Sequence, residues 1–245
     1  MTQLKFPFPA TREEDCFDDF LVDSRNETTV KLCQGFSGGN LPGKAKSLTL
    51  HGPDGAGKTH LLIAMGNNFK TWSNYGTALY LDAPRLLEVV STSSAYEEIK
   101  TSLHQYENSS FLAVDHLEKV AGNAVVEDQV FHLYNAVVEA GGLFAAAVNA
   151  PPSRWGFQEW LSTRLLWGLT VELNPVGDDA RAKVLGRMAE GMGLALPEKV
   201  ALWLMSRLPR DPASQMEALG KIDQYSLIRG KKVSIQLARE ALEIN

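Results

Sequence analysis

Short apolar runs alternating with helix-type patterns organise the first part of this chain. Ser47 to His51 reads Ser-Leu-Thr-Leu-His, an alternating, β-prone segment. Thr77 to Leu81 is a second strand pattern. Phe111 to Asp115 and Leu143 to Val148 are near-continuous apolar runs, the pattern of strands buried on both faces of a parallel sheet. Helix patterns fall between them: Glu27 to Gly35, His60 to Met65, Ala83 to Val90, a polar stretch after that, and Val126 to Ala140. After about Leu173 the strand patterns stop. Asp179 to Ala189, Pro197 to Arg207, Ala213 to Ile228 and Ser234 to Ile244 all read as helices. This order predicts a parallel α/β domain followed by a small helical lid. Met1 to Ala10 holds two prolines and reads as an extended arm. The expected division is an arm at 1–10, an α/β domain at 11–173 and a lid at 174–245.

Composition narrows the function classes. The chain has 245 residues, 44% of them apolar, enough for a real core. Its 24 basic and 29 acidic residues give a formal charge of −5. That balance disfavours sequence-independent nucleic-acid binding, which needs a basic footprint. The two cysteines, Cys16 and Cys33, lack metal-ligand spacing and read as reduced thiols of a cytoplasmic protein. The sequence shows no apolar run of membrane length and no leader pattern.

The strongest chemical signal is Gly52-Pro-Asp-Gly-Ala-Gly-Lys-Thr59, which fits GxxxxGK[ST] between a predicted strand and a predicted helix. Glycines let backbone N–H groups turn inward around phosphate oxygens, and the helix N-terminus adds positive potential. Lys58 reaches the β- and γ-phosphates in this reading, and Thr59 offers its hydroxyl to Mg²⁺. Pro53, Asp54, Gly55, Ala56, Gly57 and His60 complete the expected nucleotide-binding set. Asp115 closes a buried strand, where a carboxylate can hold Mg²⁺ beside Thr59. His116 follows it and is either a proton acceptor or a spare strand-end histidine. Asn149 ends the next strand and is a candidate sensor of the γ-phosphate or the attacking water, or simple turn chemistry. Arg164 is a candidate arginine finger or a surface salt-bridge partner.

Together these motifs resemble the DnaA/Hda family of AAA+ ATPases, and within it the Hda branch, whose members inactivate the replication initiator DnaA. Phe17-Asp-Asp-Phe-Leu-Val22 resembles the family segment that lies against adenine, which implies Phe20, Leu21 and Val22 as nucleotide contacts. Phe111 to Asp115 matches the Walker B strand, Asn149-Ala-Pro-Pro152 the first sensor, and Ser162 to Gly168 the box that carries the arginine finger, here Arg164. Gln3-Leu-Lys-Phe-Pro-Phe8 resembles the sliding-clamp-binding motif of Hda proteins, with Gln3, Leu4, Phe6 and Phe8 as anchors. Phenylalanines stand where leucines are usual.

The resemblance implies a parallel five-stranded sheet flanked by helices, an all-helical lid, and binding of ADP or ATP with Mg²⁺. The implied partners are DnaA and the DNA polymerase sliding clamp; self-association stays open. His116 stands where many relatives carry an acid, and Ala213 stands where a sensor arginine is usual, with Arg210 one turn earlier. Both departures imply weak ATP hydrolysis by the protein alone. No helix-turn-helix domain follows the lid helices, so direct sequence-specific DNA binding is not expected. Two other readings stay open: an initiator-type assembly factor or helicase loader that spends ATP itself, and a small-molecule kinase. Neither needs the clamp-binding arm.

Overall fold

A computed structural model of the protein describes residues 16–40, 45–73, 76–92, 103–209 and 212–243. The arm with Gln3, Leu4, Phe6 and Phe8 lies outside these residues, as does Arg210. The chain divides into two compact units, Met1–Asn174 and Pro175–Asn245.

The first unit is built on a five-stranded, all-parallel sheet. Its strands are β1 (Ser47–His51), β2 (Ala78–Asp82), β3 (Phe111–Asp115), β4 (Leu143–Val148) and β5 (Leu169–Glu172), in the spatial order β2-β3-β4-β1-β5. Thus β4 is inserted between the strand that precedes the glycine loop and the strand that ends in Asp115. Its helices are α1 (Glu27–Ser37), α2 (Lys58–Trp72), α3 (Ala83–Thr92), α4 (Ala124–Glu139) and α5 (Glu159–Leu166), with a 3-10 turn at Leu117–Val120. Part of the polar stretch after α3 is helical, at 103–107.

Every residue of β3 and β4 is buried, as two-sided cover requires. Side chains alternate between two cores. Leu112, Val114, Phe144, Ala146 and Val148 pack with α3, α4 and α5. Leu48, Leu50, Phe111, Ala113, Ala145 and Ala147 pack with α1 and α2. In the second core the Phe111 ring lies 5.6 Å from that of Phe69 and 6.5 Å from that of Phe36. Burial there pushes the Cys33 thiol up to about 12, so it stays protonated at neutral pH.

Local chemistry fixes the element ends. Asn123 caps α4 by accepting from the Val126 N–H at 3.2 Å. The buried Glu127 carboxylate accepts from the backbone N–H of Gly122 and of Gln158, each at 2.6 Å, and so ties the turn before α4 to the start of α5. The fifth strand did not stand out in the apolar pattern, because Leu169, Thr170 and Val171 are only half-buried and Glu172 is exposed.

The second unit holds α6 (Asp178–Gly191), α7 (Glu198–Met205), α8 (Pro212–Arg229) and α9 (Ile235–Leu242). They close on their own core, including Leu185, Leu204, Leu219, Ile222 and Leu237. Ser234 is not the first helical residue of α9. It is the cap, accepting from the Leu237 N–H at 3.2 Å. Among the described residues no helix is long and apolar enough to cross a membrane.

Phe111 is fully buried against two aromatic neighbours. Phe111→Ala should therefore cost about 3–5 kcal/mol, read as a lower urea midpoint at unchanged slope. A midpoint equal to wild type would contradict this packing.

Candidate functional site

The glycine loop leaves the carboxyl end of β1, an interior strand paired with β4 and β5. Two of its glycines are left-handed, Gly55 at φ 75° and Gly57 at φ 99°. A methyl on Gly57 would also come 2.6 Å from the Phe20 ring, and one on Gly52 would come 2.3 Å from the Leu173 carbonyl oxygen. The loop is thus clasped between the end of β5 and the Cys16–Phe20 segment. Pro53, Asp54 and Gly55 are exposed at its rim, and Ala56 is buried beneath it. α2 begins at Lys58, so the N–H groups of Lys58, Thr59 and His60 have no partner inside the helix. That terminus is the kind that attracts phosphate.

Lys58 is 8% exposed. Its ammonium donates to the Gly52 and Pro53 carbonyls at 2.7 and 3.0 Å. Burial pulls its pKa down, against the nearby charges of Asp54, Glu118 and Asp115.

Thr59 and Asp115 meet although 56 residues separate them: the Thr59 hydroxyl donates to Asp115 Oδ2 at 2.6 Å. Tyr80 donates its hydroxyl to the same oxygen at 2.9 Å, and the His116 N–H donates to Oδ1 at 2.8 Å. The fully buried carboxylate is held by three donors. Among the described residues no group of three or more His, Cys, Asp or Glu side chains could hold a metal ion by itself. Two hard oxygen ligands, Thr59 and Asp115, nonetheless fit Mg²⁺. That ion keeps several waters and takes further oxygens from a bound phosphate chain.

His116 turns sharply, at φ 52° and ψ 37°, in the left-handed region that non-glycine residues rarely enter. Its Nδ1 lies 2.8 Å from Asp82 Oδ1 and 3.7 Å from Asp115 Oδ2. Asp82 pairs with Asp115 in the β2–β3 register, so the two acids end neighbouring strands. The hydrogen bond to Asp82 raises the His116 pKa above 6.5. Burial opposes the rise, and the charges of Asp115, Asp82 and Glu118 add to it.

Phe20 and His60 pack at 5.2 Å between ring centroids, and His60 Nε2 lies 2.9 Å from the Cys16 carbonyl oxygen. The Leu21 carbonyl accepts from buried Asn26 at 3.0 Å, while Val22 is exposed. Asn149 is half-buried and lines a cavity of about 310 Å³ together with Glu118, Arg154 and Trp155.

Arg164 is not brought to the glycine loop. It sits in the last turn of α5, where Leu165 O accepts from the Thr49 hydroxyl and Gly168 lies against Ser47. These contacts place it toward the amino ends of the strands. Its guanidinium stacks over Trp167 at 3.9 Å, lies 5.3 Å from the Phe131 ring centre, and donates to Asn135 Oδ1 at 3.0 Å. Trp167 is 67% exposed and Leu166 47%. Ala213 lies within α8 of the second unit.

The sequence reading passed over Asp82, Tyr80 and Glu118. Asp82 carried a usable signal, an acid closing a strand just as Asp115 does. The pairing of Asp82 with His116, 34 residues apart, carried none.

The "Bacterial DnaA ATPAse domain" family matches residues 12–172, and the "Hda, lid domain" family matches residues 178–242. Chromosomal replication initiator protein DnaA of Geobacter metallireducens is 25% identical over 228 residues, covering 93% of this chain and 50% of that protein. DnaA of Zymomonas mobilis is 25% identical over 229 residues, 92% and 47% of the two chains. The chain therefore spans about half the length of the curated relatives it matches. Domain III of Thermotoga maritima DnaA shares the fold with a TM-score of 0.82 at 23% identity, over 94% of this chain and 96% of that one. AMPPCP-bound DnaA from Aquifex aeolicus gives 0.67 at 21% identity, over 87% and 65%.

The geometry of His116 yields a titration with a definite sign. With its pKa raised in the folded state, the stability it contributes is complete below pH 6.5 and fades as pH rises through the raised value. In wild-type protein the His116 ring signals should titrate above pH 6.5 by NMR, and Asp82→Asn should bring the midpoint down. A wild-type midpoint at or below 6.5 would contradict the Asp82 contact.

With its glycine loop, its strand order and matches that run through both units, the chain belongs to the DnaA/Hda family of AAA+ ATPases and carries an Hda-type lid.

Proposed function

We propose that this protein is a cytoplasmic, adenine-nucleotide-binding regulator of replication initiation that acts on the nucleotide of DnaA. ADP or ATP occupies the glycine loop, with phosphates against the amides of Gly55 to His60 and Lys58, and adenine against Phe20, Leu21 and Val22. Mg²⁺ is held by Thr59, Asp115 and the phosphates. Asn149 senses the γ-phosphate. The AMPPCP-bound DnaA relative supports the nucleotide class. The arm at 1–10 docks on the DNA-loaded sliding clamp through Gln3, Leu4, Phe6 and Phe8. The α/β domain at 11–173 binds the nucleotide, and the helical lid at 174–245 follows it.

One observation carries the action in trans. Arg164 lies toward the amino ends of the strands, away from this chain's glycine loop, beside exposed Leu166 and Trp167. A guanidinium held there by stacking and one amide is available to a second protein's phosphates. Its planar fork suits phosphate oxygens and is always charged. Such a finger stabilises charge that develops only in the transition state. Turnover by the protein alone is slow, because position 116 holds no acid and position 213 no arginine.

The test is a single-turnover assay of DnaA–ATP with loaded clamp. An arginine finger in trans is worth about 10³–10⁵ in rate, so Arg164→Ala should lose most of the stimulation while binding nucleotide and clamp normally. Arg164→Lys should not rescue it, since an ammonium lacks the fork. Deleting residues 2–8 should remove clamp binding and, with it, stimulation that depends on the clamp. Equal stimulation by wild type and Arg164→Ala would remove Arg164 from the mechanism.

A further inference from the structure

Trp167 is 67% exposed, whereas Trp155, Trp160 and Trp203 are half-buried. An indole left in water forgoes the gain that burial would supply, so the core does not account for it. What it touches is Arg164. The guanidinium carbon lies 3.9 Å from the centre of its ring, well inside the range of a cation–π contact. The approach to Phe131, at 5.3 Å, is looser.

The backbone that carries Trp167 is fixed on both sides. Leu165, two residues before it, is fully buried, and its carbonyl accepts from the Thr49 hydroxyl of β1 at 3.0 Å. Gly168 follows it and lies so close to β1 that a methyl there would come 2.1 Å from the Ser47 carbonyl oxygen. The Trp167 N–H donates to the Arg164 carbonyl at 3.2 Å and closes the last turn of α5. The indole is thus a platform on rigid backbone, and the long, rotatable arginine is the flexible partner.

The groups that hold Arg164 are neutral. Asn135 accepts from Nε, and aromatic rings lie against the guanidinium. Among the described residues no carboxylate pairs with it, and Nη1 and Nη2 donate to nothing. The positive charge is held in place without being neutralised, and the terminal edge of the fork is left for an anion.

We propose that Trp167 is the positioning residue of Arg164, its indole fixing the plane of the guanidinium so that the free edge is ready for a second protein's phosphate. This rests on the reading above, in which Arg164 acts on the nucleotide of DnaA, and it names the residue that prepares the arginine before the partner arrives. Such a stack acts on the rate at saturation, because a misplaced fork still docks but stabilises the transition state less.

The experiment is the single-turnover assay of DnaA–ATP with loaded clamp, run over a range of concentrations of this protein. The range separates the saturating rate from the half-saturating concentration. Trp167→Ala removes the platform, Trp167→Leu keeps apolar bulk without a π face, and Trp167→Phe keeps a ring. Residue 167 has ordinary helical backbone, φ −68° and ψ −23°, and an exposed side chain, so all three should melt as wild type does. A misplacement of about 1 Å can cost about 10²-fold, so the Ala and Leu variants should lower the saturating rate by about 10- to 10²-fold and leave the half-saturating concentration within about twofold. The Phe variant should stay within about threefold of wild type. Wild-type saturating rates for the Ala and Leu variants would overturn the inference. So would a raised half-saturating concentration at an unchanged rate, which would make Trp167 a contact for the partner only. A Leu variant as active as the Phe variant would also overturn it, since bulk alone would then suffice. Arg164→Ala in the same assay separates this inference from the reading beneath it. If that variant is inactive while Trp167→Ala is normal, only the inference falls; if Arg164→Ala stimulates as wild type does, both fall.

Discussion

The hydrogen bond from Thr59 to Asp115 joins the two halves of the site. Thr59 is the second residue of the helix after β1, and Asp115 ends β3, but these strands are not neighbours. β4 lies between them, so the bond spans the end of an intervening strand. It forms only if three strands share one register and one plane of termination. The small side chains Ala145, Ala146 and Ala147 keep β4 slim on both faces, and its fully buried residues fix it there. A buried carboxylate without donors would be strongly unfavourable, so Thr59, Tyr80 and the His116 N–H are part of the fold as well as of the site.

Around that bond the charges are densely placed. Asp82, Asp115 and Glu118 gather at the ends of two neighbouring strands and the turn beyond them. The Lys58 ammonium and the His116 imidazole face them, the first donating to loop carbonyls and the second lodged against Asp82. Such a cluster suits a ligand that brings both a divalent cation and a polyanion, since each neutralises the other. The left-handed backbone at His116 turns its imidazole toward Asp82 at the end of β2. Strain at one residue is tolerated because Asp115 accepts its N–H and Asp82 holds its ring.

What the sequence revealed followed the range of the interactions. The glycine loop was legible because its signal is contiguous: strand, glycines, Lys58-Thr59, helix. The two-sided burial of β3 and β4 was legible as unbroken apolar runs. The half-buried β5 was not, because four residues with no clear alternation look like a loop. Asp82 with His116 and Glu118 with Asn149 depend on strand order and on one turn's handedness, which no local pattern encodes. Arg164 was visible as a residue. Its stacking on Trp167 follows an i,i+3 spacing open to inspection, whereas its bond to Asn135 depends on how α4 and α5 pack.

Nucleotide binding by the loop underlies the whole account, and titration calorimetry measures it directly. ADP with Mg²⁺ titrated into wild-type protein should show one saturable site. Lys58→Ala should weaken it by at least about tenfold, or 1.4 kcal/mol, with melting unchanged. Equal binding by the two proteins, or none by wild type, would contradict the account.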